Sequence, residues 1–183
     1  AWKAWQRQES EKALQMEPPE LVEPTKQSTL GDVLDLDEIH VELDRSLSSM
    51  LTNASENFDK RIEKLRKFVI QRYGFVMPPV RVTDATLGSG TYKISIQGAA
   101  AAQDTLSVGQ KLALVKKDEY RDTPGTNTSE PVYGAEARWV SAMDGDRLAE
   151  MGVTVIEPIE VLATHLLESV QNGFDRLMSR RAL

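Results

Sequence analysis

The side chains that could do chemistry in this 183-residue chain are few: two histidines, His40 and His165, and no cysteine. Without cysteine there is no thiolate nucleophile, cysteine-ligated zinc, iron–sulfur cluster or disulfide. In Ala-Thr-His-Leu-Leu-Glu, His165 and Glu168 stand three residues apart, which on a helix places two potential metal ligands on one face. A di-metal bundle needs a second such pair and two further carboxylates, so the plainer reading is a surface histidine beside an acid. No Gly-x-Ser-x-Gly elbow is present and no carboxylate pair stands out as a hydrolytic dyad. Gly88-Ser-Gly90 lacks the Lys-Ser/Thr of a phosphate loop and reads as a hairpin turn. The sequence therefore carries no enzyme signature and implies no cofactor and no metal. A small α+β hydrolase or ligand-binding domain using His165 and nearby acids stands as the alternative.

A second group of residues suggests binding. Glu130-Pro131-Val132-Tyr133-Gly134 sets an aromatic in a loop, between a proline that blocks helix and a glycine that permits a tight turn. Trp139 follows closely, and Thr164 lies early in a helix that could face the same region. A loop aromatic over a helix, where two subdomains meet, is a plausible peptide groove. From the residues alone, the plainer reading is that Tyr133 and Trp139 simply pack the smaller subdomain.

The elements that must position these residues follow from periodicity. Ile39, Val41 and Leu43 alternate into a half-buried strand, with His40 on the other face. Asn53 and Glu56 have capping-box spacing ahead of a helix with apolar Phe58, Ile62, Leu65 and Val69, ended by Gly74. The run from Lys60 to Lys67 is its solvated face. Pro78-Pro79 keep the chain extended into a strand at Val80 and Val82, and residues 92–96 alternate as a third strand. Residues 99–108 are small and read as a short crossing segment.

At Gly109 the texture changes to short elements and long loops: strands at Leu112–Val115, Arg138–Val140 and Val153–Ile156, and a helix over 145–151 capped by Asp144. Pro158 then opens a second long amphipathic helix through Leu177, weakened locally by Gly173. The reading is an α+β fold: a mixed sheet with two long amphipathic helices and a small α+β subdomain inserted into it. Residues 30–108 and 158–183 form the first, discontinuous subdomain, and 109–157 the insert.

Ahead of these lie a polar helix (1–16) and a proline-rich extended linker (17–29). Trp2 and Trp5, interleaved with Lys3 and Arg7, could sit at a membrane–water interface or pack as a short amphipathic helix. The net charge of −6, from 22 basic and 28 acidic residues, argues against a nucleic-acid partner.

Several of these runs together resemble the cytoplasmic region of the FlhA (FHIPEP) family, the export-gate proteins of flagellar and type III secretion. They are Leu34 to Leu43, Arg61-Ile62 with Leu65-Arg66, Tyr73-Gly-Phe-Val-Met-Pro-Pro-Val-Arg-Val-Thr-Asp84, and Tyr92 to Gly98. Glu130 to Gly134, Ala137-Arg-Trp139, Gly152 to Pro158 and Val161 to Leu166 complete the likeness, in family order over roughly residues 34–178. The resemblance implies a linker plus the first two of four cytoplasmic subdomains, in a protein with an N-terminal membrane bundle. It places the chain at the cytoplasmic face of the bacterial inner membrane and Trp2 to Arg7 just after the last membrane helix. It implies a nine-membered ring in the full-length protein, with other export-apparatus components as partners. It also implies docking of flagellar export chaperones and their late substrates in a groove between the first two subdomains. There Glu130, Tyr133 and Thr164 match the acidic, aromatic and threonine positions, the first two often Asp and Phe in the family. A fragment that only builds the ring is the other reading within the family. Residues 44–53 depart from the family pattern, which usually shows Tyr-Gly-Leu-Ile-Pro-Leu and a Gly-Gly pair after the first strand.

Overall fold

A computed structural model describes residues 38–53 and 58–179. The expected N-terminal helix, the linker, the Trp2/Trp5 cluster and Glu56 of the capping box lie outside the described residues. The described residues fall within one compact unit.

The first sheet has four strands in the order β2-β1-β3-β4. Strand β1 (Ile39–Leu43) buries Ile39, Val41 and Leu43, as the alternation requires. It pairs in parallel with β2 (Val80–Asp84) and antiparallel with β3 (Thr91–Ile96). Between β1 and β2 the chain makes two helices, α1 (Arg45–Asn53) and α2 (Phe58–Tyr73). Helix α1 occupies the segment that departs from the family pattern, and Asn53 is its last residue. Asp44 caps it: Oδ2 accepts from the Ser46 amide at 3.1 Å, and Leu47 and Leu51 turn inward. Helix α2 buries Phe58, Ile62 and Val69 and leaves Leu65 half-buried. It ends at Gly74, whose φ of +66° suits the residue after a helix.

Three expectations change in this sheet. Gly88-Ser-Gly90 is not a hairpin turn, because β2 and β3 flank β1 and do not touch; the segment carries the chain across the end of β1. Residues 99–105 are not a crossing segment but strand β4 (Ala99–Thr105), paired antiparallel with β3. Gln97 (φ +50°) and Gly98 (φ +77°) make the tight two-residue connection that enforces the pairing, against the low strand propensity of four alanines. The second long helix also stops early. Helix α4 (Pro158–Asn172) has Pro158 at its first turn and Gly173 as its C-cap, and α5 (Phe174–Ser179) follows. A Cβ at Gly173 would come within 3.0 Å of Ile96 Cγ2, so the end of the helix approaches the sheet closely here.

The second sheet runs β6-β7-β5-β8: β5 (Gln110–Ala113), β6 (Thr126–Ser129), β7 (Glu136–Ser141) and β8 (Val155–Ile156). Strand β6 falls in a stretch whose polar composition reads as loop; it is an exposed edge strand recruited by β7. Helix α3 (Ala142–Glu150) begins earlier than expected, with Ser141 and not Asp144 as the N-cap: Ser141 Oγ accepts from the Asp144 amide at 3.1 Å. The sheet has two buried faces. Ala137, Trp139 and Leu112 join the main core with the first sheet and α4. Ala113, Val140, Val115 and Leu148 form a smaller cluster under α3.

Candidate functional site

Tyr133 is 74% exposed, the most exposed aromatic residue among those described. It stands in the turn between β6 and β7, and that turn is closed by four hydrogen bonds centred on Glu130. The Glu130 amide donates to the Ala135 carbonyl (2.7 Å), and the Glu130 carbonyl accepts from the Gly134 amide (2.9 Å). The carboxylate accepts at both oxygens: Oε1 from the Val132 amide at 2.9 Å and Oε2 from the Tyr133 amide at 2.7 Å. Gly134 sits at φ +71°, where a side chain would be strained. Pro131 fixes one more dihedral inside the loop.

Glu130 itself is 6% exposed. Its charge reaches past the turn to two side chains that bridge sheet and helix. Tyr92, on β3 and fully buried, is hydrogen-bonded through Oη to His165 Nδ1 at 2.6 Å, and their rings meet edge to face. Burial holds the Tyr92 phenol far above its usual range, and the negative charges of Asp104 and Glu130 add to that. Burial lowers the His165 pKa, opposed by the charges of Asp104, Glu130 and Glu168. His165 is therefore a half-buried hydrogen-bonding residue between α4 and β3, not the surface histidine that its neighbouring acid suggests.

Thr164 precedes His165 and lines a different feature. Its hydroxyl donates to the Glu160 carbonyl at 2.8 Å. It faces a groove of about 260 Å³ between α2 and α4, with Arg61, Lys64, Leu65, Phe68, Ala163 and Leu167. An Arg61–Glu160 ion pair ties the two helices at one end of it. Glu130 and Tyr133 thus share one turn, and Thr164 lines the wall of a groove on the neighbouring helix. Trp139 is 5% exposed and packs in the main core, so it offers no surface to a ligand.

Two residues that sequence reasoning missed hold this region in shape. Arg138, 4% exposed on β7, donates to Asn127 Oδ1 (2.8 Å) and to the carbonyls of Tyr120 (2.7 Å) and Lys117 (3.1 Å). It reaches Glu119 and Thr123 carbonyls as well. Lys111 on β5 spans Asp146 of α3 (2.7 Å) and Glu157 at the start of α4 (2.9 Å). Hydrogen bonds to these two carboxylates raise the Lys111 pKa. Gly145 leaves room for the stem of Lys111, since a Cβ there would lie 2.8 Å from its Cδ. For Arg138 the signal available was a basic residue between two apolar strand positions, Ala137 and Trp139; Lys111, between Gln110 and Leu112, carried none as clear.

Among the described residues no three histidine or carboxylate side chains converge as a metal site, and no helix is long and apolar enough to cross a membrane. The described residues thus carry an exposed aromatic on a hydrogen-bonded turn, set on a two-sheet α+β scaffold. The chain belongs to the FHIPEP family, which matches residues 1–183. The flagellar biosynthesis protein FlhA of Caulobacter vibrioides is 28% identical over 183 residues, covering 98% of this chain and 26% of that protein. FlhA of Bacillus subtilis is 29% identical over 168 residues, covering 90% and 25% respectively. The chain thus spans about a quarter of the length of the curated relatives it matches. Among solved structures, Chlamydia pneumoniae CdsV superposes with a TM-score of 0.67 at 20% identity, covering 75% of this chain and 43% of that one. A cytoplasmic domain of Salmonella InvA gives 0.58 at 17% identity, covering 79% and 84%. These likenesses establish the mixed α+β fold.

Proposed function

We propose that this chain is part of the export gate of a flagellar type III protein export apparatus, and that the Tyr133 turn docks chaperone–substrate complexes. The observation that carries the docking reading is the exposure of Tyr133 on a turn closed by four hydrogen bonds. Such an aromatic offers a large apolar area at low entropic cost, as anchors of protein interfaces do. Thr164, on the adjacent helix, is assigned to the floor of the same docking region. Its α2/α4 groove supplies apolar area from Leu65, Phe68, Ala163 and Leu167.

The relatives support the wider setting. The curated ones are flagellar biosynthesis proteins, and CdsV has also been solved in a complex with CdsO. In this reading the partners are export chaperones with their late substrates and other components of the apparatus. The location is the cytoplasmic face of the inner membrane, in a full-length protein that forms a nine-membered ring.

The test is calorimetric titration of the chain with a purified flagellar export chaperone–substrate complex. Tyr133→Ala, folded by circular dichroism, is expected to lose more than about 1 kcal/mol of binding. Unchanged affinity in that variant overturns the docking assignment. Binding by the wild-type chain is itself the outcome that separates docking from mere ring building.

A further inference from the structure

An acidic residue beside an exposed aromatic is ordinarily taken as a charged contact for the partner, and the geometry points elsewhere. Glu130 is 6% exposed, and both of its carboxylate oxygens are engaged by backbone amides of its own turn. A partner cation would have to displace those amides and enter a nearly closed site. We infer that Glu130 is a positioning residue: its carboxylate braces the turn so that Tyr133 is presented in one orientation before any partner arrives. The inference rests on the docking reading and assigns the work of the acidic position within it.

The chemistry is specific. Two parallel amides, Val132 and Tyr133, point at one carboxylate, which has two acceptor oxygens and no donor when ionised. Glutamine offers one acceptor oxygen and turns an NH₂ toward the second amide, so one brace is lost and a donor faces a donor. Aspartate is shorter, but a carboxylate one carbon closer to the backbone still accepts from the amides two and three residues on, as in Asx turns and helix caps. The ordering of Tyr133 is then already in place before binding, and its loss shows as weaker affinity without loss of any partner contact.

Three variants decide it against the same chaperone–substrate complex. Glu130→Gln is expected to bind about tenfold more weakly, and Glu130→Asp to stay within about threefold of wild type. The salt dependence of binding is expected to be the same in Glu130→Gln as in wild type, since no ionic contact to the partner is removed. In the chain without partner, hydrogen exchange at the Val132 and Tyr133 amides is expected to speed up in Glu130→Gln, with the β7 amides unchanged. Wild-type affinity for Glu130→Gln, a flattened salt dependence in that variant, or unaltered exchange at both turn amides overturns the positioning role. Tyr133→Ala keeps the two ideas apart. If it binds normally, the docking reading fails. If it binds weakly while Glu130→Gln binds normally, docking stands and only the positioning role falls.

Discussion

Arg138 shows how much of this protein depends on single polar side chains that the sequence pattern does not announce. A buried guanidinium with five donors is spent on the carbonyls of Lys117, Glu119, Tyr120 and Thr123 and on Asn127, so one side chain closes the loop that leads into β6. Arg138→Met keeps the stem and removes the fork. The carbonyls lose charge-assisted partners, and the expected cost is about 3 kcal/mol in denaturant titration. Trypsin supplies a local readout, because Lys116, Lys117 and Arg121 lie in that loop. Faster cleavage there than elsewhere is the expected result, and equal resistance in the two proteins would remove Arg138 from this role. The Tyr92–His165 pair is a smaller case. Tyr92→Phe leaves Nδ1 of a half-buried histidine without its partner, and the expected loss is about 1–2 kcal/mol by the same titration.

At the scale of elements, the glycines at φ near +70° separate into turns that need only the dihedral and one that also needs the space. Gly74, at the end of α2, has φ +66° and no neighbour within 4 Å of a Cβ. Gly90, at the start of β3, has φ +72°, and a Cβ there would lie 2.3 Å from the Leu106 carbonyl oxygen. Its amide also bonds Asp44 Oδ2 at 3.0 Å, tying the crossing segment to the cap of α1. Gly74→Ala is expected to cost about 1 kcal/mol and Gly90→Ala about 3 kcal/mol, read as the difference in denaturation midpoints at constant slope. Equal costs would mean that the β4 end yields freely. The same contrast explains which elements were legible. Strand β1 and helix α2 declare themselves because Ile39, Val41 and Leu43, or Phe58, Ile62 and Val69, repeat at the period of their own structure. Strands β4 and β6 do not, because Ala99–Ala102 and Thr126–Ser129 owe their conformation to a tight turn and to a partner strand. Helix α1 was hidden by its serines and β4 by its alanines. Gly173 was legible as a weak point of the long helix, but its tight fit against Ile96, distant in sequence, was not. The site divides likewise: Pro131 and Gly134 mark the Tyr133 turn locally, whereas the brace from Glu130 and the bond between Tyr92 and His165 exist only once the chain has folded.

Taken whole, the molecule has two sheets but one principal core. Strands β5 and β7 put Leu112, Ala137 and Trp139 into the cluster that also holds Ile39, Tyr92 and Leu166, and Lys111 adds an ionic strut between α3 and the start of α4. Truncating Trp139 to alanine should therefore lower both sheets together by about 3–5 kcal/mol, in one transition common to far- and near-ultraviolet circular dichroism. Separate transitions would mean that the second sheet stands alone. With one principal core shared by both sheets, titrating groups are expected to act on global stability, and their signs are set by geometry. Asp44, held below its ordinary 3.8 first by the Ser46 hydroxyl and then by the Gly90 amide, contributes stability above that value that is lost as pH falls through its lowered one. Lys111, raised above 10.5 by Asp146 and Glu157, contributes fully below 10.5 and loses this as pH rises through its folded value. The physiological window belongs to His165. Its folded pKa is depressed below 6.5 by burial, so the unfolded chain takes up the proton first. The contribution is present above 6.5 and is lost as pH falls from there through the folded value. Stability should thus fall between pH 7 and 5 in the wild-type chain. His165→Gln, which keeps a hydrogen-bonding group for the Tyr92 hydroxyl but does not titrate, should flatten part of that fall. Thermal melts of the two proteins across the window measure the difference. An identical slope in both would assign the acid sensitivity to some other group and leave His165 a plain hydrogen-bonding link between helix and sheet.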